Sequence, residues 1–240
     1  LSNHGDRLAA TQGRDDESEA YHKGQVDLLT PLVKATGTDA AFAVSSRAIQ
    51  VYGGHGYLKD HPVEQYCRDA KIFQIYEGTN FIQSMDLVSR KLGQAGGANT
   101  QAFLTDIQNF ITAHKETPEL EEGIGHLQAA HEAVAASVMK LIAWFKGGKL
   151  EHIPLAAEDF LSIMSDLAVG WLLLDQAAIA LKQLPETSKT HPDHAFYTGK
   201  KFAAQYFANN VLTTLPARTR RLSSIDTLPV EIPDEAFATV

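Results

Sequence analysis

The sequence predicts an all-α protein, with a helical piece carrying Glu77 followed by a bundle of about four helices. Three observations lead there. Apolar residues recur at helical spacing along most of the chain, as in Tyr21, Val26, Leu28, Leu29, Leu32 and Val33. Glycine and proline fall between these runs, at Gly53 to Gly56, Gly93, Gly147-Gly148, Pro185 and Pro216. No pair of alternating runs joined by a hairpin turn is visible, and no fixed-period repeat.

Taken in order, Leu1 to about Ser18 is polar and charged and reads as a loose segment or a frayed helix. Glu19 to Lys34 is helical, with a possible kink at Pro31 and a break at Gly37. Thr38 then reads as the N-cap of a helix from Asp39 to Val51. Its face is Ala40, Phe42, Ala43, Val44, Ala48 and Ile49, and the Gly53 to Gly56 turn stops it. Lys59 to Pro62 is a loop, and Val63 to Asp69 makes one or two helical turns. Ile72, Phe73 and Ile75 form an extended apolar run up to Glu77. Gly78-Thr79-Asn80 turns into a new helix, capped by Thr79 or Asn80 and covering Phe81 to Leu92. Arg90 and Lys91 suit its C-terminal dipole, and Gly93 ends it.

Gln94 to Thr100 is the clearest linker, which divides the chain into 1–93 and 94–240. Beyond it, one helix runs from Asn99 to about Lys115. Thr117-Pro118 reads as a cap and a first-position proline, opening a helix to Phe145. Pro154 to Leu184 and His194 to Leu215 follow, stopped by Pro185 and Pro216, and an extended tail holds Pro229 and Pro233.

The bulk numbers exclude some functions. A net charge of -8 disfavours a nonspecific nucleic-acid binder, which needs a basic footprint. With Cys67 as the single cysteine no internal disulfide can form, so a reducing, cytoplasmic setting is the simpler reading. The start has no signal-peptide apolar run. The most apolar stretch, Leu155 to Leu184, holds Glu158, Asp159, Asp166, Asp175 and Lys182, which argues for a buried helix and against a membrane span.

Glu77 is the first candidate for chemistry. A carboxylate among Ile72, Phe73, Ile75 and Tyr76 would hold a proton more tightly and could take one from a weak carbon acid near neutrality. The residues alone read more simply as a carboxylate that merely favours a helix N-terminus. Gly53-Gly54-His55-Gly56 follows no strand, so it is not a dinucleotide fingerprint. Arg68-Asp69 reads as a structural ion pair and Cys67 as a core residue. The ten histidines show no metal pattern, and His191 and His194 flank a surface Pro-Asp turn. Arg218, Arg220 and Arg221 read as a solvated helix end that could bind an anion.

Gln50-Val-Tyr-Gly-Gly-His-Gly-Tyr57, Pro62-Val-Glu-Gln-Tyr-Cys-Arg-Asp-Ala-Lys-Ile72, Ile75-Tyr-Glu-Gly-Thr-Asn80 and Ile82-Gln83 keep several fixed spacings at once. Together they resemble the C-terminal signature of acyl-CoA dehydrogenases. Tyr21-His-Lys23 and Leu28-Leu-Thr-Pro-Leu-Val-Lys-Ala35 are similar to the subgroup with a helical C-terminal extension, which includes 3-methylmercaptopropionyl-CoA dehydrogenase-like proteins. The resemblance implies that 1–93 is the C-terminal part of the family's helical domain and 94–240 that extension.

It also implies an FAD-dependent α,β-dehydrogenation of an acyl-CoA thioester, in fatty acid metabolism. Glu77 matches the base that removes the α-proton, while the β-hydrogen leaves as hydride to the flavin N5. The thioester carbonyl is hydrogen-bonded by the base's own N–H and by a flavin hydroxyl, an oxyanion-type stabilisation. Gln50, Gly53 and Gly54 match the turn that touches FAD, partly across a subunit interface, and Thr79 a residue beside the flavin. No metal is implied. A homodimer or larger homo-oligomer and electron-transferring flavoprotein as acceptor are the family's usual partners. Phe81 departs from the small or polar residue common after the motif. For the family's flavin-phosphate arginine, Arg7 and Arg14 are the candidates. The expectation is a C-terminal fragment of a longer enzyme, inactive alone. The alternative is a non-catalytic helical module for oligomerisation or partner docking.

Overall fold

The computed structural model describes residues 1–13 and 15–237; Arg14 lies outside them. Among the described residues every regular element is helical. The chain divides into two compact units, Leu1–Asn99 and Thr100–Val240.

In the first unit one long helix is the spine. α1 (Ser2–Thr11) precedes α2 (Asp16–Tyr52), and α3 (Val63–Phe73) and α4 (Asn80–Asp86) follow; all three pack on α2. The expected loose start is thus helical, and His4 Nδ1 meets His22 Nδ1 at 3.0 Å where α1 lies on α2. Asp15 caps α2 by accepting from the Ser18 N–H, ahead of the acidic first turn Asp16, Glu17 and Glu19.

The break expected at Gly37 does not occur. One mid-helix glycine costs about 1 kcal/mol relative to alanine, less than tertiary packing of α3 and α4 on the same helix can return. Thr38 is not a cap either. Its hydroxyl bonds back to the carbonyls of Lys34 and Ala35, as helical threonines do. Pro31 is buried inside the continuous helix. The core is Leu28, Leu32 and Ala35 of α2 with Val63 and Ala70 of α3 and Leu87, Val88 and Leu92. Past Ala35 no residue of α2 is buried.

α3 reaches Phe73, so Ile72 and Phe73 are helical instead of extended. α4 is short and passes into one π turn, Leu87–Lys91. Arg90 pairs with Asp86 at 2.6 Å and Lys91 with Asp27 at 3.5 Å, so these cations act through ion pairs as well as the dipole.

The second unit is built around α7. α5 (Ala98–His114) opens at the division, followed by α6 (Glu121–Lys146), α7 (His152–Gln183), α8 (Pro192–Asn210), α9 (Leu215–Ser223) and the single-turn α10 (Leu228–Glu231). α7 packs on α6, α8 and α9. It is long and apolar enough to cross a membrane by length and composition, but here Phe160, Ile163, Met164, Leu167 and Leu174 form the centre of a helical core. Ile124, Leu127, Val134 and Leu141 of α6 meet it at helical spacing. Phe103 of α5 stands edge-on to Trp171, 6.1 Å between ring centres.

Three boundaries differ from the sequence reading. Thr117 caps nothing; its carbonyl accepts from Leu120 in a turn, and α6 opens at Glu121. Pro216 does not stop a helix but begins α9, where a missing N–H is harmless. The tail holds two short helical turns, Leu228–Glu231 and Asp234–Phe237, where an extended segment was expected. His191 accepts from the Asp193 N–H and so caps α8. Arg218 and Arg221 are not a free anion site. Arg218 donates to Asp166 at 2.6 Å and to Ser162, and Arg221 to Asp159 at 2.5 Å, which ties α9 to α7.

Candidate functional site

The turn between α3 and α4 has an unusual backbone, one of two places in the first unit where a residue with a Cβ takes a positive φ, the other being Ala95. Glu77 has φ 53° and Gly78 φ 80°, two successive left-handed residues. For a side chain with a Cβ this region costs about 1–2 kcal/mol. Backbone strain of this kind concentrates at functional sites. The loop closes on itself, since the Asn80 N–H donates to the Gln74 carbonyl at 3.1 Å. Among the described residues the Glu77 N–H donates to no group.

A polar lattice fastens this loop to α2. Lys34 Nζ donates to the Gly78 carbonyl at 2.7 Å and to Asn80 Oδ1 at 2.8 Å. Asn80 Nδ2 donates to Asp39 Oδ1 at 2.7 Å and to the Ala35 carbonyl at 3.3 Å. Gln74 Nε2 shares the Asp39 carboxylate at 2.7 Å, and Lys71 donates to Gln74 Oε1 at 2.6 Å. Cations and the carboxylate alternate with amides, which fixes which way each amide points. Reasoning from sequence gave Lys34, Asp39 and Gln74 no role at this site and took Asn80 only as an alternative cap to Thr79. The signal available was Lys34 and Thr38 four apart on one helical face.

Thr79 sits in the same loop. Its hydroxyl oxygen accepts from the Ile82 N–H at 3.3 Å, the N-cap expected for this turn. Thr79→Ala should destabilise the first unit by about 1 kcal/mol, read by chemical denaturation, while Thr79→Ser should stay close to the parent.

The other expected site residues lie elsewhere. Gln50 is exposed on the last turn of α2, and Gly53 ends that helix with φ 62°. Gly56 is buried, because a Cβ there would come within 2.7 Å of the Ile49 carbonyl and of Tyr52 Cβ. Asp39, where the Glu77 loop is fastened, precedes Gln50 and Gly53 on one continuous helix. At 1.5 Å per residue the two stations are about 16 to 21 Å apart. Glu77 and Thr79 are therefore brought together, and so are Gln50, Gly53 and Gly54, but the two groups are not.

The closed apolar setting expected around Glu77 is absent from the described residues. Glu77 is solvent-exposed, and Ile75 and Tyr76 are 52% and 47% exposed. A groove of about 700 Å³ lies between α2 and α3, lined by Phe42, Ile49, Tyr57, Lys59, Arg68 and Lys71 and by none of the five expected site residues. Cys67 also borders it, half-buried and outside the core. Arg68 does not pair with Asp69, which accepts from Gln65 instead. Among the described residues no group of three or more histidine, cysteine, aspartate or glutamate side chains could hold a metal ion.

The comparisons with known proteins define the class of this helical chain. The family model described as acyl-CoA dehydrogenase, C-terminal domain matches residues 9–92, and that described as acetyl-CoA dehydrogenase C-terminal like matches 103–233. The chain belongs to the acyl-CoA dehydrogenase family.

A broad-specificity linear acyl-CoA dehydrogenase of Mycobacterium tuberculosis is 33% identical over 88% of this chain and 35% of its own length. A butyryl-CoA dehydrogenase of Syntrophomonas wolfei is 31% identical over 92% and 36%. The 3-methylmercaptopropionyl-CoA dehydrogenase of Ruegeria pomeroyi is 31% identical over 87% and 35%. The chain thus spans about a third of the length of these curated relatives. A crystal structure of an acyl-CoA dehydrogenase complexed with FAD from Bacillus anthracis shares the fold, with a TM-score of 0.65 and 16% identity over 98% of this chain and 40% of that one.

Proposed function

We propose that this chain is the C-terminal part of an FAD-dependent acyl-CoA dehydrogenase and that Glu77 is the base removing the α-proton of an acyl-CoA thioester. The observation that carries the reading is the strained Glu77–Gly78 turn, held on α2 and exposing its carboxylate. The carboxylate accepts the α-proton. The Glu77 N–H, without a partner among the described residues, is available to the thioester carbonyl, where it would stabilise the charge that develops as the proton leaves.

The residues present fit FAD as contributors to its site. Gly53 and Gly54 are exposed, and a Cβ at either would meet nothing, so the backbone of that turn is open to a ligand. Gln50, one turn earlier, offers a carboxamide, and Thr79 lies beside the base. FAD, when bound, supplies the acceptor for the β-hydrogen as hydride. Arg7 remains the candidate for the flavin phosphate within the described residues.

The separation of the two groups along α2 favours their serving different parts of an extended cofactor, or cofactors of two subunits in a homodimer. α2 beyond Ala35 carries exposed Val44 and Val51, which suits further packing there. Electron-transferring flavoprotein is the proposed acceptor and a cytoplasmic, reducing compartment the proposed setting for its single Cys67. We assign 1–93 to the catalytic helical domain and 94–240 to the extension. A second reading concerns the extension, a docking or oligomerisation module, favoured by Phe202 and Tyr206 of α8, 63% and 70% exposed.

Because Glu77 and its apolar neighbours are open to solvent, the 240-residue chain alone is expected to be inactive. The visible absorption of the purified chain after incubation with FAD tests this. The expected result is a helical, folded and colourless protein. A bound-flavin spectrum bleached by an acyl-CoA would overturn it.

A further inference from the structure

We propose that Lys34 is a positioning residue for the base, holding the Glu77–Gly78 turn in its left-handed geometry from α2. This rests on the reading of Glu77 as the α-proton base. Two successive left-handed residues relax unless their surroundings over-determine them. Inside the loop the restraints are weak or local. The Asn80 N–H closes it onto Gln74, and Gln83 Nε2 reaches the Glu77 carbonyl only at 3.4 Å. Among the described residues Lys34 is the group outside the 74–83 segment whose hydrogen bond reaches the backbone of the turn itself, at 2.7 Å to Gly78 O.

That bond is charge-assisted and therefore shorter and stronger than a neutral one. Its direction is fixed by the second bond, to Asn80 Oδ1, which Thr38 Oγ1 also contacts at 3.1 Å. Asn80 then passes the charge balance to Asp39 through its Nδ2. Lys34, Thr38 and Asp39 are rigidly spaced on one long helix, so the turn inherits its position from a helix that also carries the glycine turn. A carboxylate that must meet an α-carbon gains from such fixing, since a misplacement of about 1 Å can cost about a hundredfold in rate.

The test uses the full-length holoenzyme with Lys34→Met, Lys34→Arg, Glu77→Gln and the Lys34→Met/Glu77→Gln pair. Lys34→Met keeps the length of the stem and removes every donor. The expected result is a kcat lower by about ten- to a hundredfold. KM and flavin content should be nearly unchanged, and the isotope effect with α-deuterated acyl-CoA should be larger. Lys34→Arg should recover part of the rate. Lys34→Met should add no further loss on top of Glu77→Gln, because a residue acting through the base has nothing left to act on.

Undiminished kcat in Lys34→Met, an equal loss in both backgrounds, or a loss explained wholly by missing flavin would overturn the proposal. A Glu77→Gln enzyme with full turnover would sink the base reading and the Lys34 role with it. An inactive Glu77→Gln beside a fully active Lys34→Met would sink the Lys34 role alone. Should Lys34→Met fail to give folded holoenzyme, Lys34→Gln is read by the same outcomes.

Discussion

Glu77→Gln in the full-length protein is expected to lower kcat by about 10²- to 10⁴-fold, the range that a positioned general base contributes. The change is nearly isosteric, so the loop lattice through Lys34, Asn80 and Asp39 should survive, none of it resting on the Glu77 carboxylate. Bound flavin and the melting temperature should therefore stay at the parent values while turnover falls. Stopped-flow reduction of the enzyme by an acyl-CoA separates the chemical step from product release. Unchanged turnover would remove Glu77 as the base, and loss of flavin with turnover would point to a structural role.

The second large effect is on stability. Phe160→Ala should destabilise the second unit by about 3–5 kcal/mol, the cost of losing a buried aromatic side chain and leaving a cavity. Phe160 is fully buried on α7, one turn from Ile163 and Met164 and two from Leu167, which are 0%, 1% and 0% exposed, so little can collapse into the space. Leu172→Ala on the same helix is the control. Leu172 is 47% exposed and its truncation should change stability by no more than about 0.5 kcal/mol. Denaturant melts of the two variants check this. Equal effects would mean that α7 is not the core of the unit.

Much of this molecule could be read locally. The Glu77 loop was legible because Tyr76-Glu77-Gly78-Thr79 puts a carboxylate, a glycine and a capping hydroxyl within four residues, and Thr79 does cap α4. The glycine turn was legible for the same reason, Gly53 taking a positive φ at the end of α2. Punctuation was less reliable where a residue has two uses. Gly37 can stop a helix or sit inside one, and Pro216 can follow a helix or start one. Their outcome depends on what packs against the neighbouring turns.

The sequence by itself determined the all-α class, the turn that carries Glu77 and the family, while the single spine helix through Gly37 came from the tertiary packing. The first three each rest on periodicity or on motifs whose partners lie within a few residues. Tertiary structure alone decided that Lys34, forty-four residues before Gly78, donates to the backbone of the Glu77–Gly78 turn. It also decided that Arg218 and Arg221 are spent on Asp166 and Asp159 instead of facing an anion. The separation of Glu77 from Gln50 and Gly53 along α2 was likewise invisible beforehand. The physical reason is common to all three. A side chain's local pattern sets the face it occupies, but which distant group meets that face is fixed only when the helices dock.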